Sequence, residues 1–202
     1  MSGTTLQARK RNFVRQEIWN AAIKLFAEKG FDATTVDDIA QAAGLSRRSF
    51  FRYFASKDDL VSFQLMGYAQ ELHRTILNCP KQDSPLDCIR RTVVHIARQS
   101  AQSPHTRSAV DVAFRDSSAR GAQLSKWAAL EEKVAEAFAK RFHYSSKDEL
   151  KPRLLTALTL TLLDVAFRTW YQRGDADLPA TAEEVLDQLM GLLQDGSPKT
   201  AR

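Results

Sequence analysis

Cysteine is scarce in this sequence, long apolar runs are missing, and so are the short motifs of catalysis. The two cysteines, Cys79 and Cys88, form no Cys-x-x-Cys pair, and no histidine stands at zinc-ligand spacing. A disulfide framework and a zinc site are therefore not expected, and the cysteines read as small buried hydrophobes, with a redox-sensing pair as the alternative. No stretch reaches the roughly eighteen apolar residues of a membrane span. The start, MSGTTLQARKRNF, lacks the apolar core of a signal peptide, so a cytoplasmic protein without membrane contact is expected. No P-loop, Gly-rich dinucleotide fingerprint or nucleophile elbow occurs, and His73, His95, His105 and His143 share no spacing. The expectation is that the chain is not an enzyme and holds no cofactor and no metal.

One absence is local. From Ile39 to Lys57 there is no acidic residue, although Asp37, Asp38, Asp58 and Asp59 flank the window. Inside it stand Arg47, Arg48 and Arg52, interleaved with Phe50, Phe51, Tyr53 and Phe54. Up to Leu60 ten Lys/Arg face seven Asp/Glu, so most of the formal charge of +5 sits in the first third of the chain. A short segment that excludes negative charge is a candidate for touching phosphates.

With 44% apolar and 26% charged residues the composition is that of a globular protein. Residues 1–7 read as a disordered lead-in. The run Arg9-Lys10-Arg11 is then either a solvated helix start or an arm that contacts DNA. Val14, Ile18, Ala22, Leu25 and Phe26 recur at three- and four-residue steps, an amphipathic helix stopped by Gly30. Thr35 with Asp38 approximates a capping box and opens a helix to Ala43, Gly44 makes the turn, and Ser46 caps a helix to about Phe54. Ser56 with Asp59 repeats the capping signal for a helix to about Leu77.

Helix starts are then expected at Ser84-Pro85, at Ser103-Pro104, after Ser117-Ser118, near Ser146 to Pro152, and at Thr181, with the tail from Ser197 frayed. The segment from Leu154 to Phe167 is apolar most of the way round and calls for burial on more than one side. No strand pattern stands out. The expected class is all-α with about nine helices.

On a helical wheel Phe50 and Phe54 share one face of the short helix, while Arg48, Ser49 and Arg52 fall opposite and Arg47, Phe51 and Tyr53 lie on the flanks. The aromatics should pack on Ile39, Ala40, Ala43 and Leu45, which turns the arginines outward. That is the layout of a helix-turn-helix, in which one helix supports and the next enters the major groove. Arg suits guanine because its planar fork can bond O6 and N7 together. Thr35, Ser46, Tyr53 and Lys57 stand at helix starts or flanks, where they suit phosphates.

These residues carry a family likeness. Thr35-Val36-x-x-Ile39-Ala40-x-x-Ala43-Gly44-Leu45-Ser46, then Phe50, Tyr53-Phe54 and Ser56-Lys57-Asp58-Asp59-Leu60, follow a helix ending Leu25-Phe26-Ala27-Glu28-Lys29-Gly30-Phe31. Over about Arg11 to Val61 the stretch resembles the DNA-binding domain of TetR-type transcriptional regulators. Two positions depart from the pattern: Arg48 stands where many members have glycine, and Phe51 where many have a phosphate-binding tyrosine. Arg48 implies an added long-reach base contact, and Phe51 an apolar contact to a thymine methyl or sugar.

The wheel and the helix starts, taken with the resemblance and its two departures, give as candidate DNA contacts Thr35, Ser46, Arg47, Arg48, Ser49, Phe51, Arg52, Tyr53 and Lys57. The resemblance implies a DNA-binding domain over residues 1–59 and a helical effector-binding and dimerisation domain over residues 60–202. The expected partners are double-stranded DNA with a palindromic operator, a second copy of the chain, and a largely apolar small-molecule effector that releases a repressor. The homodimer would use the segments near Leu154 to Trp170 and Val185 to Leu193. Phe63, Met66, Val93, Phe114, Trp127, Phe138 and Trp170 are candidates to line the effector pocket. Asp164 either pairs with Arg168 or orients a polar group of the effector. A helical small-molecule-binding protein, or an activator without ligand-released repression, is the alternative.

Overall fold

The computed structural model describes residues 6–115, 117–145, 147–174 and 177–195. Of the lead-in expected over residues 1–7, residues 1–5 lie outside them while Leu6 and Gln7 are helical; the tail from Ser197 and the cap at Ser146 also lie outside. Nine helices and no strand occur among the described residues: α1 (Leu6–Lys29), α2 (Val36–Ala42), α3 (Arg47–Phe51), α4 (Lys57–Leu77), α5 (Pro85–Ala101), α6 (Thr106–Arg115), α7 (Ser117–Phe142), α8 (Leu150–Arg173) and α9 (Leu178–Asp195).

The chain divides into two compact units, Met1–Tyr68 with His105–Ala128, and Ala69–Pro104 with Ala129–Arg202. The boundaries fall inside α4, between α5 and α6, and inside α7. The core of the first unit is built from Ile18, Trp19, Ala22, Ile23 and Phe26 of α1, Ile39 and Ala40 of α2, Phe50, Phe54 and Leu60, with Val112 of α6. In the second unit Leu72 and Ile76 of α4, Ile89, Val93 and Ile96 of α5, Leu130, Val134 and Phe138 of α7, and Leu160 and Leu163 of α8 are buried. There α5, α8 and α9 pack pairwise against one another.

Several helix starts differ from the sequence reading. α1 begins at Leu6, so Arg9, Lys10 and Arg11 are exposed residues of a helix. α3 ends at Phe51, with Tyr53 and Phe54 in the turn that follows. α6 begins at Thr106 instead of directly after Pro104. α8 begins at Leu150 without a side-chain cap, and the buried Pro152 sits in its first turn, where a missing N–H costs nothing. α9 begins at Leu178, because the Asp177 carboxylate accepts from the Ala180 N–H at 2.8 Å. Thr181 is buried inside that helix and donates its hydroxyl to the Asp177 carbonyl at 3.0 Å, so it does not cap.

The cysteines also depart from the first expectation. Cys79 and Cys88 are buried and joined as a disulfide across the α4–α5 corner, with 5.8 Å between their Cα atoms. Arg141 of α7 holds the same corner, donating to the Cys79 carbonyl at 3.0 Å and to the Pro80 carbonyl.

α8 keeps one apolar stripe uncovered. Leu150, Leu154 and Val165 are exposed, as are Ala157 and Thr161 between them, and α9 adds exposed Leu192 and Leu193. Leu154 retains 67% of its surface and Leu192 71%. Each helix thus presents uncovered leucines that a single copy leaves unburied.

Candidate nucleic-acid interface

Two caps fix the ends of the helix pair. The Thr35 hydroxyl accepts from the Asp38 N–H at 3.1 Å, and Asp38 returns the bond by accepting from the Thr35 N–H at 2.8 Å and its hydroxyl at 2.7 Å. Lys29, at the end of α1, adds an ion pair to Asp38 at 2.8 Å. Together Lys29 first, then the Thr35 hydroxyl and N–H, hold the Asp38 carboxyl well below the usual carboxylate range. Gly44 turns the chain with φ +67°, a conformation that L side chains rarely adopt, and the Leu45 N–H closes back on the Ala40 carbonyl at 2.8 Å. Ser46 then caps α3 by accepting from the Ser49 N–H at 3.1 Å.

The buried face of α3 is set by Phe50, fully buried, and by Phe54, with ring centroids 5.9 Å apart. The helix period therefore carries Arg48 and Arg52 outward. The cations differ in how committed they are. Arg47 donates to Asp37 at 2.7 Å, with its guanidinium 5.5 Å from the Phe51 ring. Arg52 lies 5.6 Å from the Tyr53 ring and reaches the Tyr53 hydroxyl at 3.4 Å. Arg48 is exposed and has no partner among the described residues.

Ser49 is half-buried, and its Oγ accepts from Ser46 at 3.0 Å, which leaves its own hydroxyl proton to donate. Phe51 keeps 45% of its surface exposed and meets Phe50 edge-on at 5.5 Å. An aromatic ring thus stands on the same surface as the arginines.

Lys57 is bound differently from what its place in the sequence implies. Its ammonium donates to the carbonyls of Phe31 at 2.7 Å, Asp32 at 3.2 Å and Thr34 at 3.3 Å, and lies 4.5 Å from the Phe31 ring. An ammonium has three donors, and each has an acceptor here. Lys57 therefore ties the first turn of α4 to the α1–α2 turn, besides any contact it makes outside the protein.

Arg15 belongs to this region and was not singled out from the sequence. Its guanidinium lies 4.8 Å from the Phe54 ring and 4.4 Å from the Phe63 ring. Burial first, then Arg11, lowers its pKa, while Asp59 opposes them. The signal lay in the α1 spacing, since Arg15 follows Arg11 by one turn and precedes buried Ile18 and Trp19. Its stacking partners lie 39 and 48 residues on and cannot be read from spacing.

The pocket candidates are distributed over both units. Phe63, in the first unit, meets Phe54 at 5.5 Å between ring centroids and thus packs on the helix-turn-helix core. Met66, Phe114 and Trp127 also belong to that unit and are half-buried. In the second unit Val93, Phe138 and Trp170 are buried, and Phe138 stacks on Phe142 at 6.4 Å. Asp164 is on the exposed side of α8 and accepts from Arg168 at 2.8 Å, the pairing that the four-residue spacing implies. Among the described residues no three of His, Cys, Asp and Glu lie close enough together to hold a metal ion. No helix of the described residues is long and apolar enough to cross a membrane.

Comparison with known proteins gives this geometry a family. Residues 18–62 match the model described as bacterial regulatory proteins, tetR family, and residues 83–194 match the MftR C-terminal domain. The two together run from α1 to α9. The chain belongs to the TetR family of DNA-binding transcriptional regulators. TcmR of Streptomyces glaucescens, named as an HTH-type transcriptional regulator, is 26% identical over 93% of this chain and 88% of its own. KstR2 of Rhodococcus jostii, named as an HTH-type transcriptional repressor, is 45% identical over 29% of this chain and 28% of its own. In three dimensions the chain resembles the transcriptional regulator FadR from Bacillus subtilis, solved with stearoyl-CoA, with a TM-score of 0.63 and 18% identity over 86% of this chain and 96% of FadR. As in the rest of the TetR family, the helix-turn-helix comes first and the helical domain follows.

Proposed function

We propose that this TetR-family regulator works as a cytoplasmic homodimer that represses transcription from a palindromic operator and is released by a small-molecule effector. Residues 1–59 form the DNA-reading part and residues 60–202 the effector-binding and dimerising part. The observation that carries the reading is Arg48, exposed and unpaired on a helix whose opposite face is locked by Phe50. Each copy sets α3 in a major groove, and two half-sites one helical turn, about 34 Å, apart match the two-fold symmetry of the dimer. Arg48, Ser49 and Arg52 face base edges, Phe51 meets a thymine methyl or sugar, and Thr35, Ser46, Arg47, Tyr53 and Lys57 hold the backbone.

The uncovered leucines of α8 and α9 support a second copy as partner, because a two-fold pairing of these helices buries them without any further protein. Release requires that the effector bind the released conformation more tightly than the operator-bound one. The repressor named KstR2 and the FadR complex with stearoyl-CoA support ligand-released repression by an effector with a large apolar part. Selection of bound duplexes from a random pool, followed by titration of apolar acyl compounds into the operator complex, tests the reading. A palindromic consensus whose complex dissociates on titration is expected. An effector that binds tightly and leaves DNA affinity unchanged refutes the coupling.

A further inference from the structure

The second unit carries a polar groove of about 650 Å³, walled by α4, α5 and α9, in which arginine outnumbers every other residue type. Arg90, Arg91, Val94, His95 and Arg98 follow one another at helical spacing, so that one mainly basic stripe of α5 forms its floor. Arg74 and Thr75 of α4 face them.

The carboxylates that line this groove are already engaged. Asp83 takes Arg91 at 2.8 Å, and Glu183 takes Arg90 at 2.7 Å. Asp87 turns to the N–H and hydroxyl of its own N-cap, Ser84. Just outside, Glu71 accepts from Arg74 at 3.1 Å and meets His95 at 2.9 Å. Of the groove's arginines, Arg98 alone has no partner among the described residues. On the α4 wall the Thr75 hydroxyl oxygen is buried without a hydrogen-bond partner. A groove of ligand size thus holds one whole guanidinium fork without an acceptor and further arginines with donors to spare.

We infer that this groove binds an elongated small-molecule anion carrying at least two oxyanion groups, phosphate or carboxylate. One group is held by Arg98 and the other by Arg91 and Arg74. Arginine is the residue for such a site, since its fork meets two oxyanion oxygens at once. The seven steps from Arg91 to Arg98 rise about 10 Å along α5, so a single compact anion reaches one end and an extended one reaches both. The site is separate from the aromatic residues considered for the apolar effector, and it stands whether or not ligand-released repression does.

The test is calorimetric titration of the full chain with inorganic tripolyphosphate at fixed ionic strength, with pyrophosphate as the shorter probe. One saturable site per chain is expected, with tripolyphosphate binding more tightly. Arg98→Gln, at an exposed position where folding is not at stake, should weaken binding at least tenfold, whereas Arg153→Gln on α8 should leave it unchanged. Equal affinity in wild type and Arg98→Gln overturns the inference, and so does an equal loss in Arg153→Gln. Loss on Arg48→Ala with none on Arg98→Gln also overturns it, because the anion then sits on α3. Citrate in place of tripolyphosphate separates carboxylate from phosphate recognition.

Discussion

Replacing Lys57 by methionine keeps the apolar stem and removes the charge with its three donors. In the wild type those donors reach the carbonyls of Phe31, Asp32 and Thr34, which lie 23 to 26 residues back along the chain. A hydrogen bond from a charged donor contributes roughly 1.5–3 kcal/mol when well made. Here the longest is 3.3 Å and Lys57 is only half-buried, so water replaces part of the loss and the net cost is set at about 2 kcal/mol. For a chain of this size that corresponds to a fall of about 5 °C in Tm. Thermal unfolding followed by circular dichroism, at matched protein concentration, reads it directly. The bond to Thr34 is also the one a phosphate oxygen can replace at least cost. The slope of log affinity against log salt for the operator should then become shallower by about two units in the same variant, one for each copy of the dimer. An unchanged Tm refutes the tether. A lowered Tm with an unchanged salt slope keeps the tether and takes Lys57 out of the phosphate set.

Arg48→Ala should cost about 1–3 kcal/mol of discrimination at a single base position and little elsewhere. Binding to a set of single-position operator variants measures it, and a uniform loss across the set removes Arg48 from base reading. Asp38→Asn should destabilise the protein at neutral pH, in a denaturant titration, through loss of the Lys29 ion pair and of the charge that strengthens the Thr35 bonds. Because the folded carboxyl is held below its unfolded value of about 3.9, the wild-type advantage is full above that pH. It fades as pH falls from there toward the folded value, so a gap between wild type and Asp38→Asn that is equal at pH 7 and pH 2 contradicts the assignment. Leu154→Arg with Leu192→Arg, both on exposed surface, should give a folded monomer in sedimentation velocity and a large loss of operator affinity; a persistent dimer places the interface elsewhere.

The helix-turn-helix was legible because its determinants are local. The Thr35–Asp38 box, the Ser46 cap and the turn at Gly44 are each written within four residues, and the wheel of α3 needs only the sequence order of Phe50 and Phe54. What escaped depends on residues far apart in sequence. The Lys57 tether and the stacking of Arg15 on Phe54 and Phe63 join segments more than twenty residues distant. The Cys79–Cys88 pairing stood only as the alternative because the two are nine positions apart, and only the corner between α4 and α5 brings them together. At α9, Thr181 was mistaken for the cap because threonine before two glutamates resembles a start. Asp177 sits one turn earlier, with Pro179 where a first turn tolerates it, and it takes that role.

Arg47 and Arg48 are neighbours with the same chemistry, yet the structure gives them opposite commitments. The hundred-degree step between them brings Arg47 to Asp37 of α2 and leaves Arg48 facing outward alone. The Arg47–Asp37 pair is exposed on both sides, about 60% and 62%, so it is worth no more than about 1 kcal/mol. The angle of α3 to α2 is held by the Gly44 turn and the buried Phe50, and the pair is too weak to resist a phosphate that offers the same guanidinium a more highly charged acceptor. Arg47 can therefore exchange one acceptor for another at the DNA backbone, with the Asp37 carboxylate returning to water. Arg48 gives up only its hydration on meeting a base, so any preference it expresses comes from the base itself and not from a bond broken within the protein.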